Sequence, residues 1–158
     1  MTAFFATYFG KLVATVGMAL LPVIELRGAI PYGVALGLSP WDAFFASILG
    51  NMLPVPIVIL LLRQVFDWLR KTKTFGPMIE ALERKAHLKG RIVQKYRLPG
   101  LALLVAIPLP GTGAWTGALV AVVLNIRLRQ AFPAIFAGVV AAGLIVLTLT
   151  YGVVVMFS

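Results

Sequence analysis

The chain contains no cysteine, a single histidine and only five acidic residues among 158. The missing cysteine excludes a disulfide framework and a thiolate metal centre. So few carboxylates and one imidazole leave little from which to build a metal site. His87 lies in a basic polar stretch and reads as solvated. There is no Ser-His-Asp set, no HExxH, no P-loop and no dinucleotide fingerprint, and Gly111-Thr112-Gly113 is too short to cradle a nucleotide. The expectation is therefore a protein that is not an enzyme and carries no cofactor.

What is present is apolar. Hydrophobic residues make up 61% of the chain and charged residues 12%, more apolar surface than a water-soluble core of this length can hide. The composition predicts an all-α integral membrane protein, one membrane domain over 1–158. Residues 43–62 form an uncharged run of 20, enough for one crossing, and residues 131–157 an uncharged run of 27 that crosses with tilt or a kink. Four further apolar pieces, 12–21, 29–38, 98–107 and 114–124, are about ten residues each. Pieces of that length fit re-entrant hairpins or discontinuous helices. The opening aromatics Phe4, Phe5, Tyr8 and Phe9, followed by Lys11, suit an interfacial segment rather than a secretory signal.

The net charge of +9 could suggest nucleic acid, but ten of the fourteen Lys/Arg residues lie between Arg63 and Arg97. The positive-inside rule accounts for that cluster with no nucleic-acid partner and places the 63–97 linker in the cytoplasm. Arg127 and Arg129 then return to the same face, which puts both termini outside. Within the linker, Gly76-Pro77 marks the start of an amphipathic helix. Met78, Leu82, Ala86, Val93 and Tyr96 fall near one face, with Glu80 and Arg84 as an i,i+4 pair, so the helix is expected to lie on the inner leaflet.

Two apolar stretches are interrupted in corresponding ways. The first is broken by Pro22 and by Glu25-Leu26-Arg27-Gly28-Ala29-Ile30-Pro31, the second by Pro108-Leu109-Pro110-Gly111-Thr112-Gly113. Pro22 precedes Gly28 and Gly33 as Pro108 precedes Gly113 and Gly117, while Ala43-Phe44 and Gly50 match Ala131-Phe132 and Gly138 at a spacing of 88. These matches predict two inverted repeats, 11–62 and 98–157, each a re-entrant hairpin plus one transmembrane helix. Paired breaks of this kind point to a transporter site.

Glu25 and Arg27 are the sharpest candidates at such a site. A carboxylate at membrane depth takes up a proton or pairs with a cation, and a guanidinium forks toward a carboxylate or phosphate. The competing reading is an internal pair that only fixes the hairpin tip, or a tip near the surface where both are wet. Gly28, Pro31, Pro108, Pro110, Gly111 and Gly113 permit the breaks, and unwound backbone there frees N–H and C=O groups to face a ligand. Thr112 and Thr116 could each add a hydroxyl, although both residues commonly bond their own backbone. Asn51 is an amide at depth, either a ligand contact or a link between helices.

The Glu25-to-Pro31 run and the Pro108-to-Trp115 run together resemble the small multi-drug export family of prokaryotes, in order and spacing over nearly the whole chain. That family looks like a remote relative of DedA/VTT-type membrane proteins. The resemblance implies paired re-entrant hairpins, inverted repeats and, by analogy with DedA proteins, traffic in undecaprenyl phosphate. In the DedA pattern the Glu precedes the first hairpin proline and the Arg sits in the second half; here both charges sit in the first hairpin. The expected function is an inner-membrane transport protein, homodimeric, moving an anionic phosphate-headed, polyprenyl-phosphate-like lipid with proton coupling. Export of small amphipathic drugs or metabolites is the alternative, and a non-transport membrane scaffold the contrasting class.

Overall fold

The computed structural model describes residues 7–72, 76–88, 90–108 and 112–157, and every regular element among them is helical. In chain order these are α1 (Tyr8–Leu20), α2 (Glu25–Ala35), α3 (Pro40–Met52), α4 (Pro54–Arg70), α5 (Gly76–Leu88), α6 (Gly90–Ala106), α7 (Ala114–Val123) and α8 (Leu128–Phe157). Two stretches are long and apolar enough to cross a bilayer, Pro40–Arg70 with 31 residues and Leu128–Val153 with 26.

The first of these corrects the 43–62 segment. It is longer at both ends and bends at Leu53, between α3 and α4. Pro54 and Pro56 have no N–H, so the carbonyls of Gly50 and Met52 lose their i+4 donors. Leu53 keeps helical angles (φ −59°, ψ −43°), and the segment bends rather than stops.

The first break is also shorter than expected. Pro22 drives Leu21 into an extended conformation (ψ 130°) and ends α1, but α2 already begins at Glu25. Only residues 21–24 are outside a helix, and Pro31 lies within α2 rather than at a break. One lost hydrogen bond is tolerated there because α2 packs against α1, α3 and α8. In the second half, α6 begins at Gly90 and runs through Pro99, so the 97/98 boundary drawn from charge falls inside a helix. The linker helix α5 starts at Gly76 as expected; Ile79 is buried against the rest of the fold and Met78 is exposed.

The two halves share their local packing. A Cβ on Gly50 would lie 2.4 Å from the Val16 carbonyl oxygen and 2.8 Å from Ala19. One on Gly138 would lie 2.5 Å from the Ala102 carbonyl oxygen and 2.7 Å from Val105. Both glycines therefore let a long helix meet the backbone of the hairpin's first helix, α3 on α1 and α8 on α6. The C-termini of α2 and α7 close alike. Gly37 (φ 84°) donates to Val34 and Leu38 to Gly33; Asn125 (φ 51°) donates to Val122 and Ile126 to Ala121. Each is a Schellman closure, and every pair is 88 residues apart. On that spacing neither the Gly28–Gly113 nor the Gly33–Gly117 match read from sequence is in register, since Gly28 falls at Thr116 and Gly33 at Ala121.

Contacts at the two ends orient the hairpins. At one end the Tyr8 hydroxyl bonds to Asp42, the Lys11 ammonium lies beside Gly37, and Trp41 shares a groove with Tyr151. At the other, an Arg63 guanidinium nitrogen donates to the Ile126 carbonyl, and Phe66, Arg70 and Ile79 gather around Asn125. The α1–α2 hairpin opens at the first end and α6–α7 at the second. Between them is one core: Leu26, Ile30, Phe44, Val55, Ile59, Leu101, Val105, Ile135 and Val139 pack with Ala114, Ala118 and Ala142.

Candidate functional site

The break at 21–24 leaves Glu25 as the first residue of α2, with a positive φ of 51° and only 4% of its surface exposed. A left-handed conformation costs a non-glycine residue about 1–2 kcal/mol. Such strain persists where the surroundings hold it, and here they do. The carboxylate lies against Gly113, the N-cap of α7, where a Cβ would fall 1.4 Å from Glu25 Oε2. The backbone N–H of Trp115 donates to it. The carboxylate thus caps the N-terminus of α7, whose first N–H groups lack helical partners and whose dipole favours negative charge. Gly113 has φ −94° and ψ −158°, open to any residue, so glycine is required there for space and not for conformation.

Arg27, half-buried, lies on the other side of the same break. Its Nη2 donates to the Ile107 carbonyl at 3.2 Å and to Thr112 Oγ1 at 3.0 Å, while Thr112 Oγ1 donates to Ile107 O at 2.7 Å. Ile107 follows the last residue of α6, so the cation sits at the negative end of that helix. Arg27 Nη1 and Glu25 Oε2 are 3.9 Å apart. One charged tip therefore clamps both helix ends of the opposite hairpin, anion on the N-terminus and cation on the C-terminus.

Of the residues singled out from sequence, Glu25, Arg27, Thr112 and Gly113 come together, with Pro108 directly after the Ile107 acceptor. Gly28 is on the first turn of α2, its N–H bonded to the Ile24 carbonyl. Pro31 does not join them: it is exposed and lines a groove with Val34, Leu149 and Val153. Pro110 and Gly111 lie outside the described residues. Asn51 is fully buried on α3, and neither its oxygen nor its nitrogen has a hydrogen-bond partner; one turn earlier, the buried Ser47 hydroxyl also has none. Unsatisfied groups of this kind cost about 1–3 kcal/mol each, and they make no bond to the clamp. Sequence reading missed the Trp115 N–H and the Ile107 carbonyl, because backbone groups leave no mark in a sequence.

A compact, all-helical fold with two membrane-length helices and a charged clamp between hairpin tips defines a small polytopic membrane protein. The family model described as "Putative small multi-drug export protein" matches residues 25–145, and the chain belongs to that family. The match begins at Glu25, so the clamp falls inside it. No curated protein and no solved structure matches the chain.

Proposed function

We propose that this is an inner-membrane transporter whose hairpins are re-entrant and inverted, and whose Glu25 is a tethered anion standing in for the substrate's own. The observation that carries the reading is the Glu25 carboxylate on the N-terminus of α7 beside Arg27. Those donors suit any anion, and a phosphate-headed lipid would use the same helix end and the same guanidinium fork. Protonated, Glu25 gives up its charge and leaves these donors to the headgroup. Proton and substrate then bind together, and substrate binding weakens as rising pH ionises Glu25. The basic linker faces the cytoplasm, both termini face outward, and the protein works as a homodimer.

The family description favours a second reading, export of amphipathic drugs. A cationic drug would pair with ionised Glu25 and displace Arg27. Glu25→Gln separates the two readings in proteoliposomes. If the substrate is an anionic lipid, the variant keeps binding and loses its pH dependence; if it is a cationic drug, binding disappears. Normal, pH-coupled transport of both probes in Glu25→Gln and in Arg27→Lys would sink the clamp as a transport site. The orientation is tested by single cysteines, to which the native chain contributes none. Positions 11 and 39 should label from outside intact cells and position 80 should not.

A further inference from the structure

The buried polar side chains all belong to the first half of the molecule. Among the described residues they are Thr15, Glu25, Ser47 and Asn51, carried by α1, α2 and α3. The second half has aliphatic side chains in three of these places. The 88-residue spacing of α3 and α8 sets Ser47 against Ile135 and Asn51 against Val139. In the first helix of each hairpin, the matching contacts of Gly50 and Gly138 pair Ala19 with Val105, and hence Thr15 with Leu101 one turn earlier. Leu101, Val105, Ile135 and Val139 are all buried in the core, and each is larger than its counterpart. The same helix packing is thus met in the second half without a polar atom, so the architecture alone does not ask for Ser47 or Asn51.

Nor do these two residues link helices. The Asn51 oxygen, the Asn51 nitrogen and the Ser47 hydroxyl are buried, and none has a hydrogen-bond partner in the protein. They stand at i and i+4 of α3, on one face. Their depth follows from helix geometry. A Cβ on Gly33 would lie 2.9 Å from Ala43 Cβ and 2.9 Å from Thr15 Oγ1, so α1, α2 and α3 meet at that level. Asn51 is eight residues beyond Ala43, and Glu25 eight residues beyond Gly33 on the antiparallel neighbour, about 12 Å in each case. Asn51 is therefore level with Glu25, Ser47 is halfway, and Thr15 stands at the start. Lys11, beside Gly37, and Asp42, bonded to Ser39, mark the open end. The groups facing Glu25 are Arg27 and the N–H groups that begin α7. We propose that α1, α2 and α3 enclose a file of bound water, held by Ser47 and Asn51, that carries protons between the Lys11–Asp42 end and Glu25. Water both donates and accepts, as an amide oxygen, an amide nitrogen and a hydroxyl together require; a bare cation would leave the amide nitrogen unanswered. The smaller side chains of the first half provide the room, although part of the bulk returns at Leu26 and Ile30, where α7 has Ala114 and Ala118. The inference rests on Glu25 as the coupling site and adds the route by which its proton arrives.

Silver ions, which follow water into passages too narrow for larger reagents, test the file in the full chain reconstituted in proteoliposomes. The single thiols are Ser47→Cys and its counterpart Ile135→Cys, since the native chain has no cysteine. Thiols left unreacted are counted with a maleimide after unfolding. Ser47→Cys should react about tenfold faster or more than Ile135→Cys, which sits among aliphatic side chains. Adding Asn51→Val, the residue that α8 has there, should slow Ser47→Cys by about the same factor, whereas Asn51→Thr, of similar shape but with a hydroxyl, should not. Asn51→Val removes two orphaned polar atoms and should melt no lower than its parent, which separates slower reaction from misfolding. With the native Ser47, Asn51→Val should also slow pH-driven transport of a short-chain prenyl phosphate about tenfold, while the pH midpoint of binding stays in place because Glu25 is untouched. Equal silver reaction at the two thiols, or a Ser47→Cys reaction indifferent to Asn51→Val, overturns the water file. A Ser47→Cys reaction that depends on Asn51, in a protein whose transport shows no pH dependence, supports the file and counts instead against Glu25 as the coupling site.

Discussion

The first hairpin tip carries a carboxylate and a guanidinium within three residues, and the second carries no charge at all. In the fold this asymmetry is one device in two parts. The 88-residue spacing that relates the ends of α2 and α7, and of α3 and α8, also pairs Glu25 with Gly113, the two positions that meet. Equivalent positions touch only where the halves adjoin, and there is no room for a side chain from both. Glycine on one side makes space for glutamate on the other. The charged tip then uses what the uncharged tip exposes, an N-terminal N–H and a C-terminal carbonyl.

The comparison breaks most severely at Gly113. Gly113→Val places carbon on the Glu25 carboxylate, and the variant should lose about 3 kcal/mol or fail to accumulate, as overpacked cores do. Adding Glu25→Ala should recover much of that loss if the clash is the cause. Unfolding in mixed detergent and dodecyl sulfate micelles measures both.

Next come the charges themselves. Arg27→Leu removes the donor to Ile107 and Thr112 and strands Glu25. A buried pair losing one partner costs about 3–5 kcal/mol; the Arg27 side chain is 18% exposed, so about 2–3 kcal/mol is expected. Glu25→Gln keeps an acceptor for the Trp115 N–H and should cost about 1 kcal/mol. Equal losses from the two substitutions would contradict the clamp as described.

Smaller effects test whether the halves are alike beyond the tips. Gly50→Ala and Gly138→Ala should each cost about 1–3 kcal/mol and match one another closely, since each meets a carbonyl oxygen at the same distance within 0.1 Å. Gly100→Ala, with open space at the Cβ position, should be neutral or stabilising by about 0.5–1 kcal/mol. Smallest are the two Schellman positions. Gly37→Ala should lose about 1 kcal/mol at φ 84°, whereas Asn125→Gly should gain a few tenths at φ 51°. A gain from Gly37→Ala would count against the shared closure.

By itself the sequence determined the membrane class, through composition; the end of α1, through Pro22; the start of α5, through Gly76-Pro77; and the choice of Glu25, Arg27, Thr112 and Gly113, which the fold brings together, through their occurrence at breaks in apolar stretches. These are local properties, set by proline geometry and by the cost of charge in an apolar run. It misplaced the extent of the first break, because Pro31 is compatible with a helix once neighbouring helices support it. Tertiary structure alone decided that Glu25 reaches a position 88 residues away, and that Arg27 reaches the carbonyl at the end of α6. The partners in those contacts are backbone groups, identical for nearly every residue, and only the packing of the two hairpins selects which of them the charged side chains find.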